Sequence, residues 1–223
     1  MTRPARFAVA IPAVAILVGF TVWAAKLGLA ETLAYEVTDQ IASWQSRKVS
    51  PELEPWLQAR DQLESAQRLA RRNGAVEELL GVLYSERRRN PDFQQLALDH
   101  FTAALTQRPS SPYTWASIAD VRYRLGSTTG DYEQVLLNAV LLGPNEPEVQ
   151  RIVVDYGFAL WDDIGPETKA AVLQAIASGM RRNPMEMLKI SERRGRLSLA
   201  CPRVPSDARF PDPLWAKLCE ANT

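Results

Sequence analysis

The sequence predicts an all-α protein: one N-terminal transmembrane helix, followed by a short array of repeated helix pairs. Three observations carry that prediction. Phe7 to Ala25 reads FAVAIPAVAILVGFTVWAA without a single charge. Beyond Ser50 the chain falls into segments of helical period, broken at Asn-Gly, Asn-Pro, Arg-Pro and Gly-Pro, with no alternating run of β-branched residues. The same pattern of small and large residues then recurs along those segments.

Composition narrows the field. Hydrophobic residues make up 46% of the 223 residues, too many for a chain that stays disordered. Lys and Arg number 26, as do Asp and Glu, so the net charge is zero and bulk electrostatic attraction to nucleic acid is excluded. His100 is the sole histidine, which removes most histidine-based metal and triad chemistry.

Residues 1–26 read as a cytoplasmic stub and anchor. At 1.5 Å rise per residue the apolar run is ~28 Å long, the thickness of the hydrocarbon core. Pro12 is tolerated in such a helix and Trp23 suits the interface at its far end. Arg3 and Arg6 flank the start, whereas Glu31, Glu36 and Asp39 follow Lys26, which places the N-terminus in the cytoplasm. The rest would then lie in a bacterial periplasm, the protein being single-pass in the inner membrane. A cleaved signal peptide is the alternative, since Gly28-Leu29-Ala30 precedes Glu31. The apolar run exceeds an ordinary signal-peptide core, which favours the anchor. Residues 27–50 continue as a stalk helix with apolar Leu29, Leu33, Ile41 and Trp44, standing up from the membrane.

Residues 51–199 form the helical domain. Ser50-Pro51 opens its first helix as N-cap and first-turn proline, and Asn73-Gly74 closes it. Further helices cover Ala75 to Arg88, Pro91 to Gln107, Pro112 to Leu125, Tyr132 to Leu142, Glu146 to Trp161, Glu167 to Arg182 and Pro184 to Leu199. Ala59, Leu63 and Ala66 followed by Leu80, Gly81 and Tyr84 fall on the register of the tetratricopeptide (TPR) pattern. Ala97, Phe101, Ala104 and Pro109 repeat it, and Trp115 with Ile118 opens the next unit. Leu125-Gly126, Leu136, Ala139 and Pro144 mark a third unit, and Ala171, Ala175, Gly179 and Asn183-Pro184 a fourth. Pro109 and Pro144 are 35 residues apart but Pro144 and Pro184 are 40, so the repeats are degenerate.

A TPR-like solenoid buries each pair's apolar stripe against its neighbours and presents a concave groove. The inward-facing positions of the pattern select Glu78, Val82 and Glu86, then Tyr113, Asp120, Tyr123 and Arg124, then Glu148, Arg151 and Asp155 as a partner-binding set. Trp56, Trp115 and Trp161 read as packing residues. Charge is uneven: Asp131 to Glu167 carries seven net negative charges and Arg181 to Arg209 five net positive. The basic end either docks on anionic glycan, lipid headgroups or an acidic partner, or neutralises the acidic stretch beside it. The second reading is favoured.

Residues 200–223 form a proline-rich tail with a short helix. Its Cys201 and Cys219 either form a disulfide pinning the tail, stabilising by roughly 3 kcal/mol, or remain free thiols. No phosphate-binding glycine loop, Gly-x-Ser-x-Gly, His-Glu-x-x-His or Cys-x-x-Cys occurs. The adjacent carboxylates Asp162-Asp163 and Glu77-Glu78 diverge on a helix and cannot act as a catalytic pair. No enzymatic activity and no cofactor are expected.

The run Ser111-Pro112-Tyr113-Thr114-Trp115-Ala116, then Leu142-Gly143-Pro144-Asn145-Glu146-Pro147 with Val149-Gln150, and Gly157 before Trp161, resemble the VpsP-type proteins of bacterial exopolysaccharide gene clusters. The resemblance implies a non-catalytic accessory or scaffold role in exopolysaccharide biosynthesis or export, with protein partners from that machinery. A periplasmic assembly or chaperone-like factor is the alternative, and glycan contact through Tyr and Arg side chains a third reading.

Overall fold

The computed structural model describes residues 3–47, 49–205 and 213–221, with side chains described from Pro12 onward and, in the last helix, from Trp215. The side chains of Arg3 and Arg6, and the tail residues Asp207 and Arg209, lie outside that set. The elements are α1 (Arg3–Arg47), α2 (Leu53–Leu69), α3 (Gly74–Ser85), α4 (Pro91–Leu105), α5 (Pro112–Arg124), α6 (Tyr132–Leu142), α7 (Pro147–Ala159), α8 (Pro166–Arg182), α9 (Pro184–Arg193), α10 (Leu197–Ala200), a 3₁₀ turn (Cys201–Arg203) and α11 (Pro213–Glu220). No strand occurs among the described residues.

Helix α1 runs unbroken for 45 residues, through Pro12 and from the apolar run into the stalk. It is long and apolar enough to cross a membrane, and only 6% of its most apolar window is buried. Val14, Ile16, Leu17, Val18, Phe20, Val22 and Trp23 are all exposed. Past Gly28 the same helix changes character. Ala30, Ala34, Val37, Ile41 and Trp44, alternating four and three apart, are buried in a stripe packed on α2 and α3. The stalk is therefore no free post but the first helix of the folded domain. Of the apolar residues that marked the stalk, Ile41 and Trp44 are buried and Leu33 packs against the core, whereas Leu29 is 52% exposed. Small residues, Ala30 and Ala34, complete the stripe.

Punctuation residues begin helices rather than end them. Ser50-Pro51 does not cap α2, which starts at Leu53 after Glu52 without a side-chain cap. Nor does Asn73-Gly74 close it: α2 ends at Leu69, and the Asn73 side chain accepts from the amides of Ala75 and Val76 at the start of α3. Asn90 caps α4 in the same way, Ser111 caps α5 and Asn183 caps α9, each followed by proline at the first position. The expected helix Pro184 to Leu199 is broken at Gly195, whose φ of 66° only glycine adopts without strain.

Consecutive helices pack antiparallel, and each odd-numbered helix from α1 to α9 also touches the next odd one. Cross-helix bonds give the directions. Near the start of the packed part of α1, Glu31 accepts from Asn73, just before α3, and near its end Gln45 donates to Glu86, just after α3. The N-terminal turn of α5 meets Glu78 of α3, while Arg124 at its C-terminus reaches Ser85. Helices α1, α3 and α5 thus run parallel, with α3 and α5 starting at the end from which the apolar part of α1 projects. Bare helix surfaces set the close approaches: a Cβ on Gly81 would lie 2.6 Å from the Phe101 ring, and one on Gly157 2.2 Å from Val172.

Trp56 is 1% exposed, stacked among Tyr84 and Phe93, with its indole N–H donating to the Leu83 carbonyl at 3.0 Å. Trp115 and Trp161 are half-buried against the same core, as packing residues should be. His100 packs too: its ring stacks on Tyr84 and its Nδ1 lies 2.8 Å from Glu77. At the C-terminus a disulfide joins Cys201 to Cys219, holding α11 on the domain with Trp215 buried.

Candidate interaction surface

The ten groove positions of α3, α5 and α7 divide into three groups. The first forms a polar ladder between helices. Arg124 of α5 donates to the Ser85 carbonyl at 2.8 Å and to Gln94 Oε1 at 2.7 Å, and pairs with Asp120 one turn earlier. Asp120 in turn accepts from the Tyr156 hydroxyl of α7. Tyr156 stacks on Tyr123, ring centroids 4.3 Å apart, and the Arg194 guanidinium lies over the Tyr123 ring. Buried Asp155 pairs with two cations just beyond and within α9, Arg194 at 2.6 Å and Arg193 at 2.9 Å. Burial, with Asp120 beside it, pushes the Tyr156 phenol well above its ordinary value, so it remains a donor. Asp120, Tyr123, Arg124 and Asp155 are therefore engaged with one another and with α3, α4 and α9.

The second group is open. Glu86, Glu148 and Arg151 line a cleft of about 680 Å³ together with Trp44, Gln45, Val49, Ser50, Arg88 and Glu186. The cleft lies between the end of α1 and the starts of α7 and α9. Arg151 is held by Glu148, its Nε 3.0 Å from the carboxylate, which keeps the guanidinium firmly charged. Trp44 and Val49 share the lining with three carboxylates and two guanidiniums. Such a site suits a charged, hydrogen-bonding protein segment better than a wholly apolar one.

The remaining positions stand apart. Glu78 is paired with Arg108 at 2.7 Å and accepts from Ser111. Val82 packs half-buried against the core. Tyr113 is 44% exposed and its hydroxyl donates to Glu146, which holds the phenol above its usual range. The ten positions thus lie on α3 or just after it, on α5 and on α7. The contribution of α1, of Arg88 and of α9 was invisible, because α1 precedes the repeat pattern and α9 meets the ladder only through tertiary packing on α7.

Of the basic stretch, Arg193 and Arg194 neutralise Asp155, and Arg196 pairs with Asp162 at 2.6 Å. Among the described residues no group of three or more His, Cys, Asp or Glu is placed to hold a metal ion. No protein-family model matches the chain, and no curated protein matches it.

Proposed function

We propose that this chain is a membrane-anchored, non-catalytic accessory protein of a bacterial exopolysaccharide synthesis or export machine, holding protein partners in the hollow of a degenerate TPR-like solenoid. Its N-terminus lies in the cytoplasm and its helical domain in the periplasm. The observation that carries this reading is the continuity of α1, one helix that is both the apolar segment and the first packed layer of the array. A partner seated beside Trp44 is thereby fixed in height and orientation above the bilayer, which is what a scaffold requires. The resemblance to the VpsP-type proteins, most specific between Pro112 and Trp161, supplies the exopolysaccharide context. The Cys201–Cys219 bond fits an oxidising compartment.

The charged lining of the cleft favours a defined partner over the chaperone-like alternative, which needs an apolar groove for unfolded clients. Glycan stacking on Tyr123 is disfavoured, because Tyr156 and Arg194 already flank that ring. Deletion of the gene should reduce secreted exopolysaccharide. The full-length chain should restore it, and a secreted form lacking residues 1–26 should not. Unchanged polymer on deletion, with the gene expressed, overturns the reading and leaves the assembly factor.

A further inference from the structure

The parallel run of α1, α3 and α5 brings two inter-helix connections to the end from which α1 projects. Asn73, between α2 and α3, bonds Glu31 of α1, and Arg108, between α4 and α5, bonds Glu78 near the start of α3. At this end an open cleft of about 590 Å³ lies between α1 and the domain. Its walls include Trp23 and Leu27 on one side and Arg71, Arg72 and Arg108 on the other. Arg71 and Arg72 are exposed and have no ion-pair partner among the described residues, unlike the arginines of the ladder.

Trp23 marks the depth. An indole near the end of a spanning segment sits at headgroup level, so guanidiniums across a cleft from it sit among the phosphates. Guanidinium binds phosphate by paired hydrogen bonds. We propose that this end of the domain docks on the anionic phospholipid surface of the leaflet from which α1 emerges, with Arg71 and Arg72 on headgroup phosphates. The docking rests on the reading of α1 as membrane-spanning. It adds that the domain is held against the bilayer by two contacts, the anchor and this face, and not by a single swivelling helix.

The full-length chain, reconstituted into phosphatidylcholine vesicles with or without phosphatidylglycerol, tests both readings separately. Flotation with the vesicles after alkaline carbonate treatment reports the anchor. Amide hydrogen exchange in the α2–α3 and α4–α5 connections reports the docking. Exchange there should slow about threefold or more when phosphatidylglycerol is present, and high salt should abolish the difference. The double variant Arg71→Gln, Arg72→Gln should float equally well, melt at the same temperature and lose the lipid dependence. Equal exchange in both vesicle types, or a lipid dependence that survives in the double variant, overturns the docking while the anchor stands. Failure to float overturns the anchor and the docking with it.

Discussion

Gly81 of α3 lies directly under the ring of Phe101 of α4, so close that a Cβ in its place would stand 2.6 Å from two ring carbons. In a helix interior, glycine to alanine ordinarily stabilises by about 0.5–1 kcal/mol. Here the sign reverses, because the ring is 1% exposed and has nowhere to move. Gly81→Ala should lower stability by about 1–3 kcal/mol, as overpacked cores do. Chemical denaturation followed by circular dichroism measures it. Gly28→Ala is the control: no atom lies within 4 Å of a Cβ there, and it should be neutral or mildly stabilising.

The domain begins inside α1. A chain starting at Lys26 should fold and melt cooperatively, because the stripe Ala30, Ala34, Val37, Ile41 and Trp44 is kept. One starting at Pro51 bares the matching faces of α2 and α3 and should aggregate or bind a hydrophobic dye. Burying a large side chain such as Ile41 or Trp44 is worth about 1.5–3 kcal/mol, a large share of an ordinary domain's stability. Equal solubility and cooperativity of the two chains would refute the assignment.

Asp155→Asn removes the charge that Arg193 and Arg194 share. The carboxylate is buried, but Arg193 is 58% exposed and its pair is screened by solvent. A cost of about 2 kcal/mol is expected, below that of a fully buried pair. Hydrogen exchange should rise first in α9, which this contact holds against α7. An unchanged melting temperature would count against the ladder as a structural element.

Reduction should free the tail alone. The disulfide closes a loop with a sequence separation of 18, worth about 3 kcal/mol in the chain-entropy account. Cys201→Ser with Cys219→Ser should raise amide hydrogen exchange in α11 while the far-ultraviolet spectrum barely changes. Wholesale loss of helix on reduction would contradict that local role.

Much of this protein is local and so legible in the chain. The charge-free run from Phe7 to Ala25 determines a helix long and apolar enough to cross a membrane, and the spacing of Ala97, Phe101 and Ala104 determines a helix and its buried face. Asn90-Pro91, Ser111-Pro112 and Asn183-Pro184 determine where helices start, since the cap and the fixed φ act within one turn, whereas Ser50-Pro51 does not. Which helix each face meets was decided only in three dimensions. Asp120, Tyr123, Arg124 and Asp155 carry the polarity of a ligand groove, yet the packing of neighbouring helices brings Gln94, Tyr156 and Arg194 onto them. Packing also forms the cleft at Trp44, between residues more than a hundred positions apart in sequence. Side-chain period records which way a residue points along its own helix. The identity of what it meets depends on how the helices pack on one another, and no short stretch of sequence contains that arrangement.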